Sequence, residues 1–256
     1  MNRVMVIQEV INKKRAKNYL EIGVEHGYCF LNIIARRKFA VDPIFKISTL
    51  KKFLYYLVNP SSIFNKYFKM SSNEFFNSKT KILKKYPLDV VFIDGLHTYQ
   101  QSLKDVENAL KYIKDDGVII MHDCLPPNEA ASYPARSFEE AESLNLPGWT
   151  AEWCGDVWKT IVYLKSNRSD LKVFVLNCDS GIGVVTRGIE NKPLNYALEQ
   201  IDNLTYKDME KDQDKLLNLK NPQYIYEFVN SNLKSSGRKA YIHRILYWIW
   251  SKRPKF

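Results

Sequence analysis

Short apolar runs alternate with amphipathic stretches through the first two thirds of the chain. These runs predict strands at residues 18–22, 38–41, 67–70, 88–93 and 118–121. The run at 88–93 is the clearest, and its continuous apolar character predicts a strand that is buried on both faces. Two further runs, at 171–176 and 182–186, flank Asp179-Ser180-Gly181 and predict a hairpin. Helical spacing predicts helices at 30–36, 46–58, 98–113 and 156–165, with Gly117 as a helix stop, and helix throughout after Pro193.

This order of elements predicts an α/β fold. Strands that alternate with helices form a mostly parallel sheet with helices on both faces, so we expect a Rossmann-like, seven-stranded sheet that ends in an antiparallel hairpin strand. We expect one domain at 1–190, with a lid at about 125–150, and a helical C-terminal extension at 191–256.

The first candidate site is the turn after the first strand. Glu21, Gly23 and Gly27 form E-x-G-x-x-x-G, which differs from the G-x-G-x-x-G cradle of a pyrophosphate. Asp42 follows the second strand, 19 residues after Gly23, where a carboxylate can accept two hydrogen bonds from ribose hydroxyls. The turn therefore predicts a nucleoside cofactor without phosphate, and the alternative is a tight strand–helix turn with an incidental acid.

The second candidate site combines the ends of two neighbouring strands. Asp94 and His97 follow one strand, and His122 and Asp123 follow the next. Two carboxylates with histidine nearby can hold a divalent cation, and His97 could accept a hydroxyl proton. The alternative is that the acids cap helices and turns while His122 is a half-buried histidine with satisfied hydrogen bonds.

The motifs F-I-D-G-L-H-T-Y (92–99), D-V-E-N-A-L (105–110) and G-V-I-I-M-H-D (117–123) resemble the class I S-adenosylmethionine-dependent methyltransferases of the macrocin O-methyltransferase and cephalosporin-hydroxylase-like group. The resemblance spans roughly residues 18–188 and implies S-adenosylmethionine as cofactor and sugar hydroxyls as acceptors. It implies cofactor contacts from Glu21, Gly23 and Asp42, metal ligation by Asp94 and Asp123, and a catalytic role for His97. From the strand ends we also expect Gly27 and Asp94 to contact the cofactor, Asp94 to take part in catalysis, and His122 to join Asp94 and Asp123 in a Mg²⁺ or Mn²⁺ site. Relatives often have an acid in place of His122, and a neutral ligand there shifts the preference toward softer metals.

The distribution of charge draws attention to the C-terminal segment of the chain. The net charge of the 256 residues is +10, and residues 232–256 supply seven of these charges without a single acid. Residues 241–252 are aromatic and flanked by cations, so the region 238–256 could contact an anionic membrane, or it could dock on its own domain or on a partner subunit. The four cysteines are widely spaced and no apolar run is long enough to span a bilayer, so we expect a cytoplasmic protein, with the inner face of the membrane as one location.

The leading hypothesis is an O-methyltransferase that acts on a sugar or glycan. A hydroxylase-like relative is the second hypothesis, although no iron-binding facial triad can be placed in the sequence. The third is a non-catalytic protein with a methyltransferase-like fold that binds nucleic acid or membrane through the basic tail. Nucleic acid is disfavoured because the rest of the chain is close to charge balance. Homo-oligomerisation is a further expectation.

Overall fold

The computed structural model describes residues 1–189 and 193–232, and these residues surround one eight-stranded sheet. Its spatial order is β3-β2-β1-β4-β5-β7-β6-β8. The pairs among β1 to β5 are parallel, whereas β7 runs antiparallel to both β5 and β6. The strands are β1 (Asn18–Ile22), β2 (Arg37–Val41), β3 (Lys66–Phe68), β4 (Leu88–Ile93), β5 (Ile113–Met121), β6 (Leu171–Leu176), β7 (Ile182–Arg187) and β8 (Leu219–Lys220).

Helices cover both faces of this sheet, so the predicted α/β architecture is confirmed. The helices are α1 (Arg3–Lys14), α2 (Tyr28–Asn32), α3 (Thr49–Val58), α4 (Ser72–Ser78), α5 (Thr80–Lys85), α6 (Tyr99–Leu110), α7 (Phe138–Ser143), α8 (Trp158–Asn167), α9 (Leu198–Asp202), α10 (Tyr206–Leu217) and α11 (Tyr224–Asn232). A short 3₁₀ helix at Pro60–Phe64 follows α3.

The two faces of the sheet have separate apolar cores. Val91 and Ile93 of β4 point into one core, which also contains Trp158 of α8. Val90 and Phe92 point into the other, which contains residues of α1, α2 and α11. Burial on both faces explains why the central strands read as continuous apolar runs.

Two predictions about the elements were wrong. Gly117 was expected to stop a helix, but α6 already ends at Leu110, and Gly117 lies inside β5. Ile113 continues the helical spacing, yet it pairs with Leu88 of β4, so sheet pairing overrides the local periodicity. The C-terminal segment was expected to be entirely helical, but it also supplies β8, which pairs with β6 and makes the sheet eight-stranded rather than seven-stranded.

Helix α1 is an element that the sequence analysis did not predict. Val6, Ile7, Val10 and Ile11 have helical spacing and are buried, so this signal was present in the sequence. The helix contacts α11 and places its first residue, Arg3, beside the sheet edge that carries the candidate site.

The segment predicted as a lid contains α7 and several turns, and Ala130 and Ala131 within it are buried. Its role as a lid and the domain boundary near residue 190 stay predictions. None of the helices in the described part of the chain has the length and hydropathy needed to cross a membrane. The tail at 238–256 lies outside the described residues.

Candidate active site

A cavity of about 1050 Å³ opens at the carboxyl ends of β1, β2, β4 and β5. Open parallel sheets bind their ligands at this edge. Of the residues predicted from sequence, the cavity is lined by Glu21, Gly23, Asp42, Asp94, His97, His122 and Asp123, and Gly27 lies behind the lining. Further lining residues that the sequence analysis did not assign to the site include Arg3, Ser72, Gln101, Asp105 and Asp179.

The two glycines of the first turn are required by the backbone. Gly23 has φ +80°, and a Cβ atom there would lie 1.7 Å from the carbonyl oxygen of Asp94. Gly27 has φ +72° as the N-cap of α2, and its Cβ would lie 2.6 Å from Cδ1 of Ile47. Glycine at position 23 therefore lets the ends of β1 and β4 approach each other closely, and glycine at position 27 permits the left-handed N-cap of α2.

Asp42 holds the same turn through both carboxylate oxygens. Its Oδ2 accepts hydrogen bonds from the backbone N–H of Val24 (2.7 Å) and Glu25 (2.8 Å), and its Oδ1 accepts one from Ile44 (2.7 Å). A carboxylate has about four acceptor positions, so about one remains for a ligand. The structure therefore gives Asp42 a role in shaping the turn that the sequence analysis did not anticipate.

A buried ionisable pair lies beneath this turn. The hydroxyl of Tyr19 donates a 2.5 Å hydrogen bond to Glu21, and the ammonium of Lys38 donates to the carbonyl oxygens of Phe30 (2.5 Å) and Ile33 (2.7 Å). Burial is the largest effect on both groups. It raises the pKa of Glu21 to about 8 and lowers the pKa of Lys38 to about 7.

Asp94, His97 and Asp123 converge in the lining of the same cavity. One ligand atom from each lies within 4.8 Å of the others. Nε2 of His97 lies 3.5 Å from Oδ1 of Asp94 and 3.2 Å from Oδ2 of Asp123. Nδ1 of His97 lies 2.8 Å from the carbonyl oxygen of Trp153, which is the outer contact that orients metal-binding histidines. Two carboxylates and one imidazole fit a divalent cation.

His122 lies behind this group and is nearly inaccessible to solvent. Its Nδ1 is 2.9 Å from Oδ2 of Asp123 and 3.4 Å from Oδ1 of Asp94, and its Nε2 is 3.6 Å from Oδ1 of Asp179. Neither ring nitrogen has a hydrogen bond with good geometry. Among the described residues, the set that could share one ion contains His97 and not His122, so the geometry favours His97 as the histidine ligand.

Arg3 reaches this cluster from α1. Its Nη1 lies 2.8 Å from Oδ2 of Asp94, and its backbone N–H donates to Oδ2 of Asp179 at 2.6 Å. The sequence analysis missed both residues, because Arg3 lies far from every motif and Asp179 was interpreted only as a turn residue. The Arg3 guanidinium neutralises part of the carboxylate charge of Asp94 and Asp179. It leaves Oδ1 of Asp94 facing His97.

Opposite charges dominate the titration of this cluster. Burial favours a higher pKa for Asp94, but His122, His97 and Arg3 outweigh burial and hold the pKa well below its ordinary value. Burial opposes protonation of His97, yet Asp123 and Asp94 raise its pKa to about 9. The pKa of His122 is raised well above its ordinary value in the same way, by Asp123 and Asp94 against burial.

The segment before α8 holds the loop that carries His97. Gly155 has φ +58°, and a Cβ there would lie 1.7 Å from the carbonyl oxygen of His97. Oδ1 of Asp156 accepts a 2.7 Å hydrogen bond from the backbone N–H of Tyr99. The rings of His97 and Trp153 lie 4.9 Å apart. Positioning of His97 therefore depends on residues more than 50 positions away in sequence.

The comparisons with known proteins agree with this geometry. Residues 20–124 match the model of a family described as "Methyltransferase domain", and this range contains every site residue predicted from sequence. This match confirms the prediction of a methyltransferase. None of the curated proteins matches the chain in sequence.

Solved structures show the same class I methyltransferase fold. A candidate caffeoyl-CoA O-methyltransferase from Staphylococcus aureus is 16% identical, with a TM-score of 0.51 over 73% of this chain and 85% of that one. A candidate O-methyltransferase from Klebsiella pneumoniae is 13% identical, with a TM-score of 0.52 over 73% and 80%. The O-methyltransferase TomG from Streptomyces achromogenes, solved with S-adenosylmethionine, is 12% identical, with a TM-score of 0.51 over 72% and 79%.

Proposed function

We propose that this protein is an S-adenosylmethionine-dependent O-methyltransferase whose acceptor is a hydroxyl group of a sugar or glycan, with help from a divalent metal. The observation that carries the proposal is the convergence of Asp94, His97 and Asp123 in a cavity that Gly23 and Asp42 of the first turn also line. In this proposal, the nucleoside part of the cofactor and the cation bind beside each other.

The cofactor is supported by the fold and by the first turn. Glu21, Gly23, Asp42 and Asp94 border one continuous space, and Gly27 fixes the start of α2 behind it. The turn has no phosphate cradle, and S-adenosylmethionine has no phosphate. TomG, which shares the fold, was solved with S-adenosylmethionine.

The metal is supported by the donor set. Asp94 Oδ1, Asp123 Oδ2 and His97 Nε2 would hold Mg²⁺ or Mn²⁺, and His122 would lie behind them. A bound divalent cation would orient the acceptor oxygen and lower the pKa of its hydroxyl group. The nitrogen donor favours Mn²⁺ over Mg²⁺, which prefers oxygen ligands.

His97 has two proposed roles, and they exclude each other at the same atom. As a ligand, Nε2 of His97 must be deprotonated and bound to the cation. As a base, Nε2 must be free to accept the proton of the acceptor hydroxyl. Without a cation its pKa is about 9, so it is mostly protonated at neutral pH and cannot act as a base in that state.

The sugar acceptor is supported by the aromatic side chains beside the cavity. Trp153 and Phe138 line it, and the indole N–H of Trp153 donates a 2.9 Å hydrogen bond to the carbonyl oxygen of Tyr133. Aromatic faces next to polar groups suit a sugar ring. The resemblance to the macrocin and cephalosporin-hydroxylase-like group supports the same acceptor class.

Calorimetric titration with S-adenosylmethionine, with and without Mg²⁺ or Mn²⁺, tests the cofactor and the metal together. We expect micromolar binding, followed by transfer of a labelled methyl group to sugar acceptors. If S-adenosylmethionine does not bind under any of these metal conditions, the first turn has only a structural role. Nucleic-acid binding that falls steeply with salt would then favour the non-catalytic alternative. Membrane contact through 238–256, a cytoplasmic location and homo-oligomerisation stay predictions.

A further inference from the structure

Helix α3 exposes a stripe of large apolar side chains to solvent, whereas Tyr55 on another side of the helix contacts the protein. Leu50, Phe53 and Leu57 recur at helical spacing on one side, and each is between 56% and 66% exposed. In a helix that only packs against its own domain, this stripe would face the core. None of the residues within 1–189 and 193–232 covers it.

The polar side chains of the opposite face anchor α3 to the sheet. The hydroxyl of Tyr55 donates to the carbonyl oxygen of Ile33 and accepts from Lys38, both at 3.3 Å. The ammonium group of Lys52 lies 4.4 Å from the ring centre of Tyr67. Because these contacts fix the rotation of the helix, the outward direction of the apolar stripe follows from the way α3 is attached.

The apolar surface continues beyond the helix. Ile63 and Phe64 of the 3₁₀ helix are 65% and 60% exposed, and Ile44, before α3, is 65% exposed. Scattered exposed apolar residues are ordinary, but six large ones from a single stretch of chain indicate an interaction surface. We define this surface as the α3 patch, which consists of Ile44, Leu50, Phe53, Leu57, Ile63 and Phe64.

Charge identifies the kind of partner. Residues 43–73 contain five lysines and no aspartate or glutamate. Lys51, Lys66 and Lys69 are exposed in the same stretch of chain as the α3 patch. A second copy of this surface would bring like charges together, and the C-terminal tail after residue 232 is also basic without acids. Charge repulsion therefore disfavours both a second copy of this chain and the C-terminal tail as the partner of the α3 patch, whereas an anionic partner is favoured.

We propose that the α3 patch docks on an anionic lipid bilayer. Large apolar side chains flanked by lysines are the composition of interfacial helices, in which apolar groups enter the acyl boundary and lysines reach the phosphates. Ile44 and Lys46 also line the cavity, so this contact would hold the cavity close to the lipid headgroups. The proposal is independent of the reaction catalysed.

The test is co-sedimentation of the full chain with vesicles of phosphatidylglycerol and phosphatidylcholine, compared with vesicles of phosphatidylcholine alone. We expect binding only to the anionic vesicles, weakened in high salt. The double variant Leu50→Ser with Leu57→Ser should bind these vesicles at least about tenfold more weakly, because neither position can then bury a leucine side chain in lipid. The matched control, Leu144→Ser with Leu198→Ser, removes two exposed leucines elsewhere and should bind like the unmodified chain.

Hydrogen exchange separates the α3 patch from the tail. Anionic vesicles should slow exchange of the amides between residues 49 and 64. Slower exchange confined to residues after 232, equal binding of the two double variants, or no vesicle binding would each overturn the proposal. Self-association that is lost only in the α3 double variant, without vesicle binding, would identify a second copy as the occupant and would also overturn it.

Discussion

Two buried groups of ionisable side chains flank the same cavity, and their pKa values are shifted in opposite senses. Beneath the first turn, burial drives Glu21 and Lys38 toward their neutral forms. At the ends of β4 and β5, opposite charges drive Asp94 and His97 toward their charged forms. Both groups are shielded from water, so the number of charged neighbours decides whether the pKa shifts favour the neutral or the charged forms.

The difference shows how one edge of the sheet can carry both a turn with little charge and a cluster of charged side chains. On the Glu21 side, the Tyr19 hydroxyl donates to Glu21 and Lys38 donates to the carbonyl oxygen of Phe30. Because burial favours the neutral forms of Glu21 and Lys38, this side carries little charge. The Asp94 side concentrates charge that a cation could replace, and Arg3 supplies part of the balancing positive charge. Neutral substitutions should therefore have opposite consequences on the two sides.

The largest effect should come from Asp94→Asn. The substitution removes a carboxylate from the proposed cation site, and we expect the rate of methyl transfer to fall about 10³-fold, or about 4 kcal/mol. Binding of S-adenosylmethionine should change much less. Single-turnover kinetics and calorimetry measure the two quantities, with the exposed Asp115→Asn as control. Full activity of Asp94→Asn would end the metal hypothesis.

Gly23→Ala should have the next largest effect, on stability. The new Cβ would lie 1.7 Å from the carbonyl oxygen of Asp94 at φ +80°, so we expect a loss of about 3 kcal/mol or more in the free energy of unfolding. Gly148→Ala is the matched control, because it has φ +82° with no heavy atom within 4 Å and should lose only about 1–2 kcal/mol. Urea denaturation compares them, and equal losses would disprove the close-approach explanation.

His97→Gln should lower the stability of the metal-free protein at low pH. The folded pKa of about 9 lies above the ordinary value of 6.5, so protonated His97 stabilises the fold below pH 6.5, and this contribution disappears as the pH rises through 9. We expect a difference on the order of 2 kcal/mol at pH 6 that vanishes above pH 9. Denaturation of both proteins across this range measures it, and a difference independent of pH would contradict the assignment.

Glu21→Gln should have a smaller effect of the opposite sign. The folded pKa of about 8 exceeds the ordinary value of 4.5, so the folded state binds the extra proton and stability falls as the pH rises from 4.5 to 8. The neutral amide avoids this loss. We therefore expect the free energy of unfolding of the variant, measured against that of the unmodified protein, to be higher at pH 8 than at pH 5 by on the order of 1 kcal/mol. A loss at pH 8 would show that Glu21 is stabilised as a carboxylate.

Much of the site was predictable because strand ends were predictable. Continuous apolar runs predicted β1, β4 and β5, and the parallel pairing of these strands brings Gly23, Asp94 and Asp123 to one edge. The choice between His97 and His122 was not predictable. It depends on which ring nitrogen lies within reach of a common ion with Asp94 and Asp123. The His97 ring is held there by the carbonyl of Trp153, a contact between residues 56 positions apart.

The sequence by itself determined the layered α/β fold, the sheet edge that carries the site and most of the residues there, because these follow from hydrophobic periodicity and from motifs at strand ends. Only the tertiary structure decided that Arg3 joins Asp94, that Gly117 lies in a strand and that β8 extends the sheet. The same holds for the outward apolar face of α3, because buried contacts of Lys38 and Tyr55 fix its rotation. Such features depend on long-range contacts, which no local pattern specifies.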